Sequence, residues 1–259
     1  KAMLDHSFVG ADATPQMVIL ARVNMALLGA PKANIFKTDD SLITPQLKAG
    51  SFDLICTNPP FGKSKSDITD ILEQYTTDLH DAPKGKDWIY EPTVTGRALG
   101  GKPDSKDRWK LNSKNIDMAV LFIDRCLELL KPGGRLLMVL PDGILCNSGD
   151  RYVREYMMGK KDEATGQFSG GKAIVKAVVS LPADTFKLSG TGAKTSILYL
   201  QKRQAHQEDS NTFANQEQGD VFMAVADTLG YVVKNNVEDY STGVPNDLAA
   251  IAGAYVRGE

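Results

Sequence analysis

Asn58-Pro59-Pro60-Phe61 is the run whose residue types and order point most directly to chemistry. It follows Phe52-Asp53-Leu54-Ile55-Cys56-Thr57, a short apolar stretch that reads as a buried strand. Two adjacent prolines forbid helix and withdraw backbone donors, so the strand must stop there. An amide side chain, a stiff di-proline, an aromatic ring and Gly62 then leave one strand end together. The set suits methylation of an exocyclic amine on a planar ring. Such a nitrogen is a poor nucleophile because its lone pair is delocalised into the ring. The Asn58 side-chain oxygen and the Pro59 carbonyl can each accept one of its N–H groups and so localise that pair. The prolines fix the carbonyl's direction, and Phe61 can stack on the ring of a base that has left its helix. A loop with strand-breaking prolines and a core Phe is the plainer account of the same four letters.

Carboxylates recur at comparable places. Asp12 lies just past the short strand Ser7-Phe8-Val9-Gly10, before a helix that Thr14 caps and Pro15 opens. With Thr14 as cap, Asp12 is free for another task, and an acid there typically accepts ribose hydroxyls; a plain turn Asp is the alternative. Asp39 and Asp40 follow the strand Ala33–Phe36, where an Asp/Ser turn cluster is also an adequate description. Asp142 follows Arg135–Leu140 and either lines a cleft or serves the Pro-Asp-Gly turn alone. In a mostly parallel sheet Asp12, Asp40, Asn58 and Asp142 all emerge on one rim, where ligands of open α/β sheets bind.

The elements that must position these residues are legible from periodicity. A helix after Pro15 carries Met17, Leu20, Ala21, Asn24, Leu27 and Leu28 on one side and stops at Gly29. A second helix, from Asn115 to Leu130, has an apolar stripe of Ile116, Ala119, Val120, Ile123, Cys126, Leu127 and Leu130. Lys131-Pro132-Gly133-Gly134 is expected to close it. Arg151 to Met158 is a short helix, 159–172 a polar loop, and Ala173–Leu181 and Thr195–Gln201 are strands. Residues 202–220 are polar, and one strand and a final helix complete the tail.

The chain has 259 residues, enough for one α/β domain with an insertion, and its net charge of −2 argues against a protein that coats nucleic acid unaided. Nothing resembles a membrane span or a signal peptide. Cys56, Cys126 and Cys146 read as reduced core thiols of a cytoplasmic protein, and His6, His80 and His206 have no ligand spacing, so no metal is expected. Residues 63–114 are polar. Within them Lys84 to Lys114 interleaves eight basic residues with Trp88, Tyr90 and Trp109, as suits a loop on a nucleic-acid backbone or an ordinary solvated loop. Lys63-Ser64 and Gly192-Ala193-Lys194-Thr195 both fail as phosphate loops for want of the required glycine.

Asn-Pro-Pro-Phe after a hydrophobic strand resembles the catalytic motif of amino-group DNA methyltransferases. "LKPGGRLLMVLPDGIL" and "VVSLPADTFKLSGTGAKTSILYLQK" sharpen the resemblance toward the modification subunit of type I restriction-modification systems. The resemblance covers most of the chain except 63–114. It implies a Rossmann-like S-adenosylmethionine-dependent methyltransferase fold, mostly parallel with an antiparallel edge strand. Residues 1–203 would form the catalytic domain, with the insertion 63–114, and 204–259 its tail. The implied activity is methylation of adenine N6 in DNA, with Asn58, Pro59, Pro60 and Phe61 as catalytic residues. Asp12, Asp40 and Asn58 would bind S-adenosyl-L-methionine, Asp40 through the cofactor's adenine amino group. Double-stranded DNA, a specificity subunit and a restriction subunit are the implied partners. RNA or protein-glutamine methylation, or a non-catalytic scaffold, are the other readings. The family's first strand and its Gly-rich loop should precede Asp12, and too few residues stand there. The expectation is a sheet lacking its first strand, in a segment of a longer protein that by itself binds the cofactor poorly.

Overall fold

Short β-α-β spacing at the start of the chain gives a small parallel unit. The computed structural model describes residues 7–62, 102–103, 109–110, 117–204 and 218–258. They fall into two compact units, Lys1–Lys48 and Ala49–Glu259. In the first, β1 (Val9–Asp12) and β2 (Asn34–Lys37) pair in parallel, joined by α1 (Pro15–Leu27). The Arg22 guanidinium donates to the Ile35 carbonyl at 2.8 Å and ties the helix to β2. Two strands are too narrow to cover a helix of 13 residues. Only Val18 of α1 is buried, while Met17, Leu20, Leu27 and Leu28 of the expected core stripe are exposed. The cap also differs from expectation: Thr14 makes no side-chain bond, and Asp12 Oδ1 instead accepts the Thr14 N–H at 2.7 Å.

The second unit is a mixed five-stranded sheet. Its strands are β3 (Phe52–Thr57), β6 (Leu130–Pro141), β9 (Ala173–Ser180), β10 (Thr195–Lys202) and β11 (Phe222–Val225), in the order β11-β9-β10-β6-β3. β3 runs parallel to β6 and β11 parallel to β9, while β10 runs antiparallel to both of its neighbours. The C-terminal ends of β3, β6, β9 and β11 and the start of β10 therefore share one rim. Lys102–Pro103 (β4) and Trp109–Lys110 (β5) form a separate pair.

Alternation along the strands divides the faces. Leu136, Met138, Leu140, Leu198 and Leu200 point to one side and are essentially inaccessible. That side packs with α2 (Met118–Leu129) and with α4 (Arg151–Met158), which follows the short α3 (Asp142–Cys146). Each such buried side chain contributes about 1.5–3 kcal/mol relative to exposure. On the other side the C-terminal helix α5 (Asp247–Arg257) sets Tyr255 edge-on to Tyr199 and Phe222.

Several expectations need correction. β3 is an edge strand with Leu54 46% exposed, so the run before Asn58 is not buried on both faces. Lys131-Pro132-Gly133-Gly134 does not separate helix from strand: β6 starts at Leu130, and the irregular stretch appears as a register shift opposite Phe52 and Leu54. The loop 159–172 contains a hairpin, β7 (Gly159–Lys161) with β8 (Phe168–Gly170). The tail holds a second hairpin, β12 (Val232–Lys234) with β13 (Val237–Asp239), turned by Asn235 and Asn236 at φ of 50° and 58°. Of the cysteines, Cys126 is buried but Cys56 and Cys146 are exposed.

Candidate active site

Pro59-Pro60 ends β3 as steric reasoning requires, and the run then lies on the rim of the second unit. Asn58 is exposed, and its side chain makes no hydrogen bond among the described residues. Pro59 is buried, Pro60 exposed and Phe61 half-buried, so the chain is anchored by one ring and presents the amide to solvent. Gly62 takes φ of 92°, a left-handed turn that suits glycine. Its carbonyl accepts the Met118 N–H at 2.9 Å, fixing the downstream end of the run to the first turn of α2. Asp117 caps that helix through the Ala119 N–H at 2.9 Å. Cys56, one strand residue before the rim, has its thiol pushed up by burial, which keeps it protonated and a poor nucleophile.

Phe61 meets a partner that sequence reasoning did not single out. Phe186, in the loop between β9 and β10, stands edge-on to it with ring centroids 5.6 Å apart. That loop is tied internally. The Pro182 carbonyl accepts the Thr185 N–H at 3.1 Å and its hydroxyl at 2.6 Å, and the Phe186 carbonyl accepts the Thr191 N–H at 3.4 Å. Its ends are closed by the Leu181 N–H on the Thr195 carbonyl at 2.9 Å. The sequence signal was the Leu-Pro…Phe…Thr-Gly spacing; which ring Phe186 would meet was not in it.

Asp142 leaves β6 at the same rim. Its N–H donates to the Lys194 carbonyl at 2.9 Å, and its Oδ1 accepts the Ser196 hydroxyl at 2.7 Å. In the first unit, Asp12 ends β1 and Asp40 lies three residues past β2, at the same end of that two-stranded sheet. Asp40 Oδ1 accepts the Leu42 N–H at 2.8 Å, whereas Asp39 pairs with Lys37 at 2.6 Å and is held below the usual carboxylate range by that hydrogen bond and charge. Asp12 and Asp40 thus each commit one oxygen to a local turn and keep the other without a partner among the described residues. Carboxylate oxygens so placed can accept hydrogen bonds from hydroxyl or amino groups. No cluster of three or more metal-ligating side chains occurs among the described residues. Trp88, Tyr90 and most of the basic stretch 84–114 lie outside the described residues.

A family model described as Eco57I restriction-modification methylase matches residues 6–165, and one described as N-6 DNA methylase matches residues 100–231. Over 67 residues, 25% of this chain, the sequence is 34% identical to the type II methyltransferase M.MamI of Microbacterium ammoniaphilum, covering 18% of that protein. The fold is similar to a class I S-adenosylmethionine-dependent methyltransferase from Listeria monocytogenes. There the TM-score is 0.54 at 17% identity, over 96% of this chain and 54% of that one. It is also similar to a chain of a type I R-M system, with TM-score 0.55 at 17% identity over 99% of this chain and 40% of that one. The chain therefore spans about half, or less, of the proteins it matches. These likenesses establish a Rossmann-like S-adenosylmethionine methyltransferase fold. Because each family model covers half of the chain or more, the chain belongs to the families they describe, the Eco57I restriction-modification methylases and the N-6 DNA methylases.

Proposed function

We propose that this chain is the catalytic region of a DNA methyltransferase that acts on adenine N6, within the modification subunit of a type I restriction-modification system. The observation that carries the reading is the exposed Asn58 amide, without a hydrogen-bond partner among the described residues and held by Pro59-Pro60 at the end of a parallel strand with Phe61 against Phe186. The Asn58 oxygen and the Pro59 carbonyl accept the two N–H groups of the target amine. Its lone pair then turns away from the ring and toward the donor. Phe61 and Phe186 offer apolar ring surface to a base that has been unstacked. S-adenosyl-L-methionine, when bound, would supply an electrophilic methyl group from its sulfonium, with the neutral thioether as leaving group and water to take the proton the amine loses. Asp12 and Asp40 would hold the adenosine part through ribose hydroxyls and the adenine amine. No covalent enzyme intermediate is needed. Placement and electrostatics supply the acceleration. The partners in this reading are double-stranded DNA and a specificity subunit, because a chain of net charge −2 needs another source of DNA affinity and target choice, while a restriction subunit rests on the type I resemblance alone.

The test is tritium transfer from S-adenosyl-L-methionine by the intact protein that carries this chain, offered unmethylated DNA, RNA and protein in parallel. Label is expected on adenine N6 of DNA. Asn58→Ala should lower the rate by about 100-fold or more, as loss of one well-placed hydrogen-bonding group does. Label on RNA or protein alone, or an Asn58→Ala rate equal to wild type, rejects the reading.

A further inference from the structure

We infer that Asp142 is a positioning residue that clamps the loop 182–194 and thereby holds Phe186 against Phe61. The ties are direct contacts at the ends of the loop, and the loop's own chain joins them to Phe186. Asp142 Oδ1 accepts the hydroxyl of Ser196, which is 4% exposed, at 2.7 Å. The Asp142 N–H reaches the Lys194 carbonyl at 2.9 Å, extending the β6–β10 ladder one step past the Pro141–Thr195 pair. Lys194, Thr195 and Ser196 are where the loop re-enters the sheet, and the Thr195 carbonyl closes it onto Leu181 at its other end. Within the loop, Phe186 receives the Thr191 N–H on its carbonyl and turns its ring edge-on to Phe61.

Two features argue that the carboxylate is there for the loop. A carboxylate oxygen on a hydroxyl that is 4% exposed gives a shielded side-chain tie at the strand start where the loop re-enters the sheet. The Asp142 N–H on the Lys194 carbonyl adds a backbone rung beyond the last β6–β10 strand pair, and the carboxylate adds a side-chain rung at Ser196. Asp142 also opens α3, but a helix of five residues gains from it only locally. Ser196 has no part in that helix. The clamp would act in the methyltransferase reading above by keeping the second ring of the base pocket in register with the Asn58 run.

The experiment has two arms on the intact protein, with Asp142→Ala, Asp142→Asn, Ser196→Ala and Phe186→Ala. Hydrogen exchange reads the clamp without any chemistry. Amides of 183–193 should lose protection in Asp142→Ala and Ser196→Ala. Asp142→Asn, whose amide oxygen still accepts the Ser196 hydroxyl, should keep it. Methyl transfer to DNA reads the consequence. The rate should fall by about 10- to 100-fold in Asp142→Ala and Ser196→Ala, as a displaced positioning group costs, with Asp142→Asn near wild type. Added to Phe186→Ala, Asp142→Ala should cause no further loss, because the ring it positions is gone. Unchanged exchange in Ser196→Ala, or an Asp142→Asn as impaired as Asp142→Ala, overturns the clamp. Should Asp142→Ala fail to fold, Ser196→Ala carries the same two readings alone. Lost protection in a protein whose wild type methylates nothing supports the clamp and rejects the methyltransferase reading, so the two failures are distinct.

Discussion

Cys126 sits 4% exposed in α2, and its burial pushes the thiol up to about 12. Cys56 and Cys146 are exposed, although partial burial raises Cys56 as well. Reaction with a thiol reagent needs both access and thiolate, so the three should separate in rate. The expected order is Cys146 first, Cys56 more slowly, and Cys126 only after unfolding, read by mass spectrometry of labelled peptides against time. Fast labelling of Cys126 in the native protein would contradict its placement. The sequence showed all three beside apolar runs, and neighbourhood along the chain does not report solvent. Asn58 is the opposite case: its surroundings were readable because prolines act locally, on their own torsions and those of the residue before.

Among the described glycines, Gly171, between β8 and β9, has the closest backbone neighbours, at the end of α4. A Cβ built on Gly171 would lie 2.2 Å from the Met158 carbonyl carbon and 2.3 Å from the Gly159 nitrogen, both backbone atoms. No rotamer change relieves that, so the β7–β8 hairpin or the end of α4 must move. Gly171→Ala should cost at least the 1–3 kcal/mol, roughly, of an overpacked core, measured by denaturant unfolding. Gly166→Ala, on the same hairpin and with open space around its Cβ, tests the contrast: its cost should be the smaller one of a left-handed backbone at φ of 73°. Equal losses would mean that close approach is not what Gly171 is for. The helix Arg151–Met158 and the long strands were readable from periodicity. The β7–β8 hairpin was not, because three-residue strands are too short to show a period.

For the whole molecule, burial sets the response to alkali. Tyr152 is pushed up to about 12 from 10.0, first by burial and then by the charges of Asp150 and Asp117, and Cys126 rises to about 12 from 9.0. Both hold their protons in the fold at a pH where the unfolded chain releases them. A raised folded value means a contribution that is complete below the unfolded value and is lost as pH climbs toward the folded one. Stability should therefore fall between about pH 9 and 12. Lys202 works the other way: burial lowers it, so its cation is penalised at neutral pH and that penalty fades as it deprotonates below 10.5. Two acids against one partly buried amine leave a net decline. Denaturant midpoints followed across this range should drop, and Tyr152→Phe should flatten the part above pH 10. An equally steep decline in the variant would remove Tyr152 from the account.

The chain alone determined where β3 stops and which residues leave its end, because proline geometry and strand periodicity are short-range. It also determined that acids stand at or just past the ends of β1, β2 and β6, since the register of a residue to its own strand is a matter of counting. Tertiary structure decided the rest. Strand order put β3 at an edge and β10 between β6 and β9, bringing Asp142 to Ser196 across a sequence separation of 54 and Phe186 to Phe61. Such meetings depend on which faces pack and which ladders close, and those are properties of the assembled sheet that no local pattern encodes.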